Sequence, residues 1–231
     1  MAEATLNKDY ARRMIGVGLL MLALSAWSVY DGAVKWPRVN LRVAEVRPVL
    51  LATNLTAEAW LETEAVGQHA LQRVFAAAGS RVPGKLVRKL GELRIRRDET
   101  DVETALSAQR QAVRKLFEQP LYASGDLSGQ YVQAAVTFGL ALAAFLAVAV
   151  KGKRRFIADD AGLHGSGFGG RDWSWSDLKS IDWLRWEEKG IVVLTFTTGL
   201  SVRCDGWHFS GMPDIVKVIE AQRPDLAPPR A

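Results

Sequence analysis

Residues 131–150, YVQAAVTFGLALAAFLAVAV, are twenty positions without a formal charge, and no other feature of the chain limits its fold so strongly. About 20 apolar residues in a helix cross a hydrocarbon core roughly 30 Å thick. Peptide groups in lipid must be satisfied within the segment, so such a run has to be helical. A helix lying on the surface of a soluble core shows a polar face opposite its apolar stripe, and this one has none. An all-round apolar helix is a membrane span or the wholly buried core helix of a large protein, and a chain of 231 residues favours the span. A second run, residues 14–30, MIGVGLLMLALSAWSVY, follows the basic residues Lys8, Arg12 and Arg13. Ala23 and Ser25 have the spacing of a signal-peptidase site, so a cleaved signal is the alternative reading. The length of the run and its Trp27 and Tyr30 end, suited to an interfacial aromatic belt, favour a retained anchor. Either outcome leaves the later domain on one side.

The spans divide the chain into a cytoplasmic N-terminus (1–13), a first transmembrane helix (14–30), an extracytoplasmic and mostly helical domain (31–130), a second transmembrane helix (131–150), a cytoplasmic domain (151–223) and a disordered tail (224–231). Basic residues near the spans number seven on the side of the termini (Lys8, Arg12, Arg13, Lys151, Lys153, Arg154, Arg155) and six on the other (Lys35, Arg38, Arg42, Arg47, Arg114, Lys115). That small bias favours an inner or plasma membrane protein with both termini cytoplasmic.

Between the spans, Trp36-Pro37 and the alternating Val39, Leu41, Val43 and Val46 predict an extended segment closed by Pro48. Trp60, Leu61, Leu71, Val74, Phe75 and Ala78 repeat with helical period, with Thr56 as N-cap and Gly79 as stop. A short basic helix is expected over 85–97 and another over 99–118, ended by Pro120. Their apolar stripes are expected to pack on each other or on a second copy. Asn54-Leu55-Thr56 fits a glycosylation triplet without carrying weight, and His69 lies on a helix with no second ligand nearby.

The formal net charge of +5 and pI near 9.5 would suit a nucleic-acid binder. The basic residues are dispersed, however, apart from Lys151, Lys153, Arg154 and Arg155 beside the second span, and nucleic acid is not expected as a partner. That cluster reads as a cytoplasmic anchor and a possible contact for anionic lipid headgroups. The single cysteine, Cys204, excludes an intramolecular disulfide framework and a multi-cysteine zinc site. His164, Cys204, Asp205 and His208 are the only constellation worth testing for metal or thiol chemistry. Asp205-Gly206 makes a turn of it, so no catalytic, cofactor or metal residue is assigned. Gly165 to Gly170, GSGFGG, matches G-x-G-x-x-G formally, but a phosphate cradle needs a helix directly after its glycines. Here Arg171-Asp172-Trp173-Ser174-Trp175 follows, so the stretch reads as a turn.

After the basic cluster the texture becomes short strands: Phe156-Ile157-Ala158, a return over 163–168, a strand over 181–187, then Ile191 to Thr197 turning at Thr198-Gly199 into 200–204. A helix from Pro213 to Gln222 ends before Pro224. This order contains no parallel crossover unit. The run WSWSDLKSIDWLRWEEKGIVVLTFTTG, with Trp175, Asp177, Leu178 and Ile181 in a W-x-D-[LI]-x-x-I pattern after a glycine-rich turn, resembles the central part of bacterial pleckstrin-homology-like (PH-like) domains. The resemblance covers about residues 153–223, a stretch shorter than the full family pattern by one or two strands. It implies a binding or scaffolding module rather than a reaction. Five of the eight tryptophans fall between 173 and 207, either filling a small core or presenting an aromatic surface; Trp183, Trp186 and Trp207 are the candidates for that surface.

The fold class expected is therefore α+β: two transmembrane helices, a helical inter-span domain and a small antiparallel β domain with a C-terminal helix. The function expected is a membrane scaffold or assembly component without catalysis or cofactor, with the lipid bilayer and a protein partner or second copy as its contacts. An accessory subunit of a transporter or membrane enzyme is the alternative, and a sensor of anionic headgroups a third reading.

Overall fold

The computed structural model describes residues 1–52, 64–92 and 102–228, which form two compact units, Met1–Ala23 with Thr137–Ala231, and Leu24–Val136. The first is α+β and the second helical, and every strand pairing among the described residues is antiparallel.

The first unit begins with a strand that no local pattern predicts. Strand β1 (Ala2–Leu6) precedes helix α1 (Lys8–Tyr30). It pairs with β2 (Phe156–Ala158) on one side and β8 (Phe209–Ser210) on the other. With β3 (Gly162–His164) and β4 (Trp173–Ser174) the sheet runs β4-β3-β2-β1-β8, while β5 (Leu178–Arg185), β6 (Ile191–Phe196) and β7 (Ser201–Asp205) form a second. Residues expected as a plain cytoplasmic N-terminus thus sit inside the later domain. Five residues with two alanines and two charged or polar side chains carry little strand signal alone; the pairing partners supply it.

In β6 the buried side chains are Val192, Leu194 and Phe196, alternating as a half-buried strand requires. The strand expected over 181–187 starts earlier, and at Trp186–Lys189 it gives way to one helical turn capped by Gly190. Helix α7 (Met212–Gln222) lays Met212, Ile215, Val216 and Ile219 on the sheets. Phe156 meets Phe168 and Phe209 edge-on at 5.0 and 4.9 Å, and Trp173 stacks on Phe196 at 4.2 Å. The expected tail opens as a turn, Pro224–Leu226, whose Leu226 packs against this core.

Helix α6 (Ser124–Gly152) covers the longer apolar run. It and the helix beginning at Lys8 are long and apolar enough to cross a membrane by length and composition. Small residues and a few polar ones bring the two helices together. In the first unit Gly18 lies against the Phe145 ring; in the second, Ser25 Oγ donates to the Ala134 carbonyl at 2.8 Å and Gly32 faces Gln130. Large apolar side chains such as Leu19, Leu20, Leu22, Phe138, Leu140 and Leu142 point outward. This is the reverse of a soluble bundle and matches helix pairing through small residues.

In the second unit a π-helical turn, Asp31–Lys35, leads into α2 (Trp36–Ala52), where an extended segment was expected. Val43, Val46 and Leu50 are buried on one helical face while Leu41 is exposed, so the apparent two-residue alternation was incidental. Pro37 falls beside the π turn, where the register change already interrupts the hydrogen-bond ladder, and Pro48 is accommodated inside the helix. Helices α3 (Glu64–Ala77), α4 (Gly84–Glu92) and α5 (Val102–Glu118) follow. Gly79 (φ 65°) ends α3, with Ser80 N–H returning to the Phe75 carbonyl. Leu71, Phe75, Leu86, Leu90, Phe117 and Leu121 pack with the buried face of α2. Asn40 donates to the Tyr122 carbonyl at 2.9 Å and accepts its N–H at 2.8 Å, fixing α2 to the segment after α5. Thr56, Trp60, Leu61, the Asn54 triplet and residues 93–101 lie outside the described residues.

Candidate functional site

The end of β7 and the turn to β8 hold three of the four residues of the His/Cys/Asp constellation. Cys204 points inward from β7, wholly buried, and burial followed by the neighbouring Asp205 charge pushes its thiol up to about 12. A thiolate is the reactive form, so burial holds this side chain in the core as a protonated thiol and does not activate it. Asp205 is also buried. Burial alone would raise its carboxyl, but the His208 hydrogen bond and charge, the Trp207 N–H and Arg203 hold it below the usual carboxylate range. The contacts are short: His208 Nδ1 at 2.8 Å, Arg203 Nη2 at 3.0 Å and the Trp207 N–H at 3.0 Å.

His164 does not join them. β3 pairs with β2 and β4, not with β7, and the imidazole bridges Asp172 through Nδ1 and Asp159 through Nε2, each at 3.1 Å. Its pKa is raised, chiefly by the Asp172 hydrogen bond, against the opposing effect of burial. Among the described residues no group of three or more His, Cys, Asp or Glu side chains could hold a metal ion.

The basic cluster divides. Lys151, in the last turn of α6, donates to Tyr10 Oη at 3.1 Å and lies 4.8 Å over that ring. Tyr10 in turn meets the His208 ring edge-on at 4.6 Å. A continuous chain of contacts therefore runs Lys151, Tyr10, His208, Asp205, Arg203. Lys151 and Arg154 line an open cleft together with Arg203, Asp205 and His208, whereas Lys153 and Arg155 do not. Sequence reasoning missed Tyr10 and Arg203, and the only available signal was the alternation of β7, which sends Arg203 outward between inward Val202 and Cys204.

The glycine-rich stretch is a turn, as expected. Ser166–Phe168 forms a single 3₁₀ turn that buries Phe168, and Gly165 (φ 103°) brings its backbone onto the Arg155 carbonyl, where a side chain would collide. Of the three candidate surface tryptophans, Trp207 is 68% exposed. Trp183 and Trp186 pack partly against the core, and Trp183 Nε1 donates to the Leu226 carbonyl at 2.7 Å. Trp173 and Trp175 likewise satisfy their indole N–H groups, on Phe168 and Asp159 carbonyls at 2.9 and 3.1 Å. The tryptophans are thus mostly structural.

No protein-family model, curated protein or solved structure matches this chain.

Proposed function

We propose that the protein is a two-span scaffold or assembly component of the inner or plasma membrane, with β1 and the β domain in the cytoplasm and residues 31–130 outside. The observation that carries the reading is the pairing of β1 with β2 and β8. Two strands of one sheet lie on one side of a membrane, and two apolar helices separate them in sequence; an even number of crossings is what returns the chain. Cleavage near Ser25 would remove β1 from the middle of its sheet, which favours the retained anchor. Held at both ends of the helix pair, the domain is positioned close to the bilayer.

The β domain supports the PH-like resemblance. It has two antiparallel sheets followed by one helix, and β1 adds a strand from outside residues 153–223. A recognition role without catalysis fits the buried, unionised Cys204 and the carboxylate of Asp205 already occupied by three donors. Leu184 and Trp207, 84% and 68% exposed, offer apolar contact to a partner or a second copy.

The test is the assembly state of the full chain in mild detergent, measured by light scattering, for the native protein and for Leu184→Ser with Trp207→Ser. The native chain is expected to form a defined oligomer or stoichiometric complex that the double variant loses while keeping its thermal transition. A single unassembled copy in both would count against the scaffold.

A further inference from the structure

We propose that the cleft between the end of α6 and the β7–β8 turn binds one anionic phospholipid, its phosphate held by Lys151, Arg154 and Arg203. This inference rests on the membrane reading above. The cleft has a volume of about 490 Å³, within the roughly 300–1,000 Å³ usual for small-molecule sites.

One wall is a single helical face. Ala143, Leu146, Ala147 and Val150 recur at the three- and four-residue spacing of α6, the same face then becomes Lys151, and Arg154 follows just past the helix end at Gly152, its N–H on the Lys151 carbonyl at 3.0 Å. The change from apolar to basic falls where residues 131–150 end. A phospholipid has the same sequence of chemistry along its length, acyl chain and then phosphate. A free phosphate would leave the four apolar side chains without a role.

The facing wall adds Arg203, Asp205 and His208. Three permanent cations stand against one carboxylate, and that carboxylate is already bound by Arg203 and His208 at 3.0 and 2.8 Å. Lys151 leans on the Tyr10 ring and hydroxyl, so its charge is oriented without being neutralised. Arg154 forms no ion pair among the described residues. The excess positive charge, beside a surface that anionic lipids make negative, selects an anion, and the guanidinium of Arg154 can hold two phosphate oxygens at once.

The experiment uses the purified, delipidated full chain in a zwitterionic detergent. Dioleoyl phosphatidylglycerol, dioleoyl phosphatidylcholine and inorganic phosphate are titrated separately, with bound lipid read by native mass spectrometry and binding by thermal shift. One phosphatidylglycerol per chain is expected, without binding of phosphatidylcholine at the same concentrations. Arg154→Ala with Arg203→Ala should weaken it at least about tenfold, the loss of charge-assisted hydrogen bonds, while Lys153→Ala with Arg155→Ala leaves it unchanged. Ala147→Trp, which fills the apolar half, should also weaken it. Equal loss in the two double variants would mean diffuse attraction to basic residues and overturn the site. An equal response to inorganic phosphate would overturn the lipid as ligand, and absence of phosphatidylglycerol binding would overturn the proposal outright. Failure of the membrane reading itself is separately visible, as recovery of the chain in the soluble fraction without detergent.

Discussion

Ala4 of β1 and Phe156 of β2 are register partners, both wholly buried, so residues on either side of the whole helical region close one sheet. Ala4→Asp would set an unpaired carboxylate against Phe156 and its neighbours. An uncompensated buried charge costs about 3–5 kcal/mol. At roughly 2–4 °C per kcal/mol for a chain of this size, the β domain should melt on the order of 10 °C lower by circular dichroism. Glu3→Ala, on the exposed face of the same strand, should leave the transition in place.

Gly211 tests the same closure from the other side. It caps α7 at φ 90°, and a Cβ there would collide with the Glu3 carbonyl oxygen. Gly211→Ala therefore combines a strained backbone, about 1–3 kcal/mol, with displacement of β1. Limited proteolysis should cut between β1 and α1 in the variant before it cuts within β6, whereas the native chain should resist at both places.

How far the sequence reveals this architecture follows from the range of the interactions. The apolar helices, the β6–β7 hairpin and α7 are written in local periodicity and turn residues, and they stand close to where that periodicity puts them. β1 is not, because Ala2 to Leu6 have no pattern of their own and become a strand only by pairing with β2 and β8. The helix α2 was masked by an accidental alternation, Val39, Leu41, Val43, together with two prolines that normally argue against a helix interior. In the cleft, Lys151 and Arg154 were legible as a basic run. Their division from Lys153 and Arg155, and the approach of Tyr10 and Arg203, depend on tertiary placement that no spacing encodes.

Arg223 links the end of α7 to the second sheet. Its Nη1 donates to the Trp175 and Leu178 carbonyls, and Nε and Nη2 grip Asp225 at 2.8 Å each. Arg223→Ala leaves two carbonyls without this donor, a loss of roughly 1–3 kcal/mol. Lysine cannot supply the fork, so Arg223→Lys should recover less than half of it. Loosening of the Pro224–Leu226 turn would free the Trp183 indole from the Leu226 carbonyl, and a red shift in tryptophan emission should accompany the lower melting temperature.

The His164 bridge makes part of the β domain's stability depend on pH. Its folded pKa is raised, so its contribution is fully present below the unfolded imidazole value and lost as pH rises through the folded one. The Asp159 carboxyl is lowered, by the Ala161 N–H first and by His164, so its contribution is present above the unfolded carboxylate value and lost as pH falls through the folded one. The bridge should therefore stabilise between those limits, in the mildly acidic range. Melting temperatures measured from the mildly acidic range up through the folded imidazole value should fall toward high pH more steeply for the native chain than for His164→Gln, and coincident profiles would dismiss the coupling.

Cys204 provides a quiet background against which the topology can be read. With its thiol buried and pushed up to about 12, the native chain should not react with a membrane-impermeant maleimide near neutral pH, and labelling should emerge only in denaturant. Single reporters can then be added at exposed positions without removing it: Ser107→Cys on α5 and Ser180→Cys on β5. In intact cells the Ser107→Cys chain is expected to label and the Ser180→Cys chain to stay dark until the membrane is permeabilised. The opposite pattern would invert the orientation while keeping two crossings. Equal labelling of both in intact cells would end the two-span reading, because β1, β2 and β8 already require the ends of the helix pair to share one side.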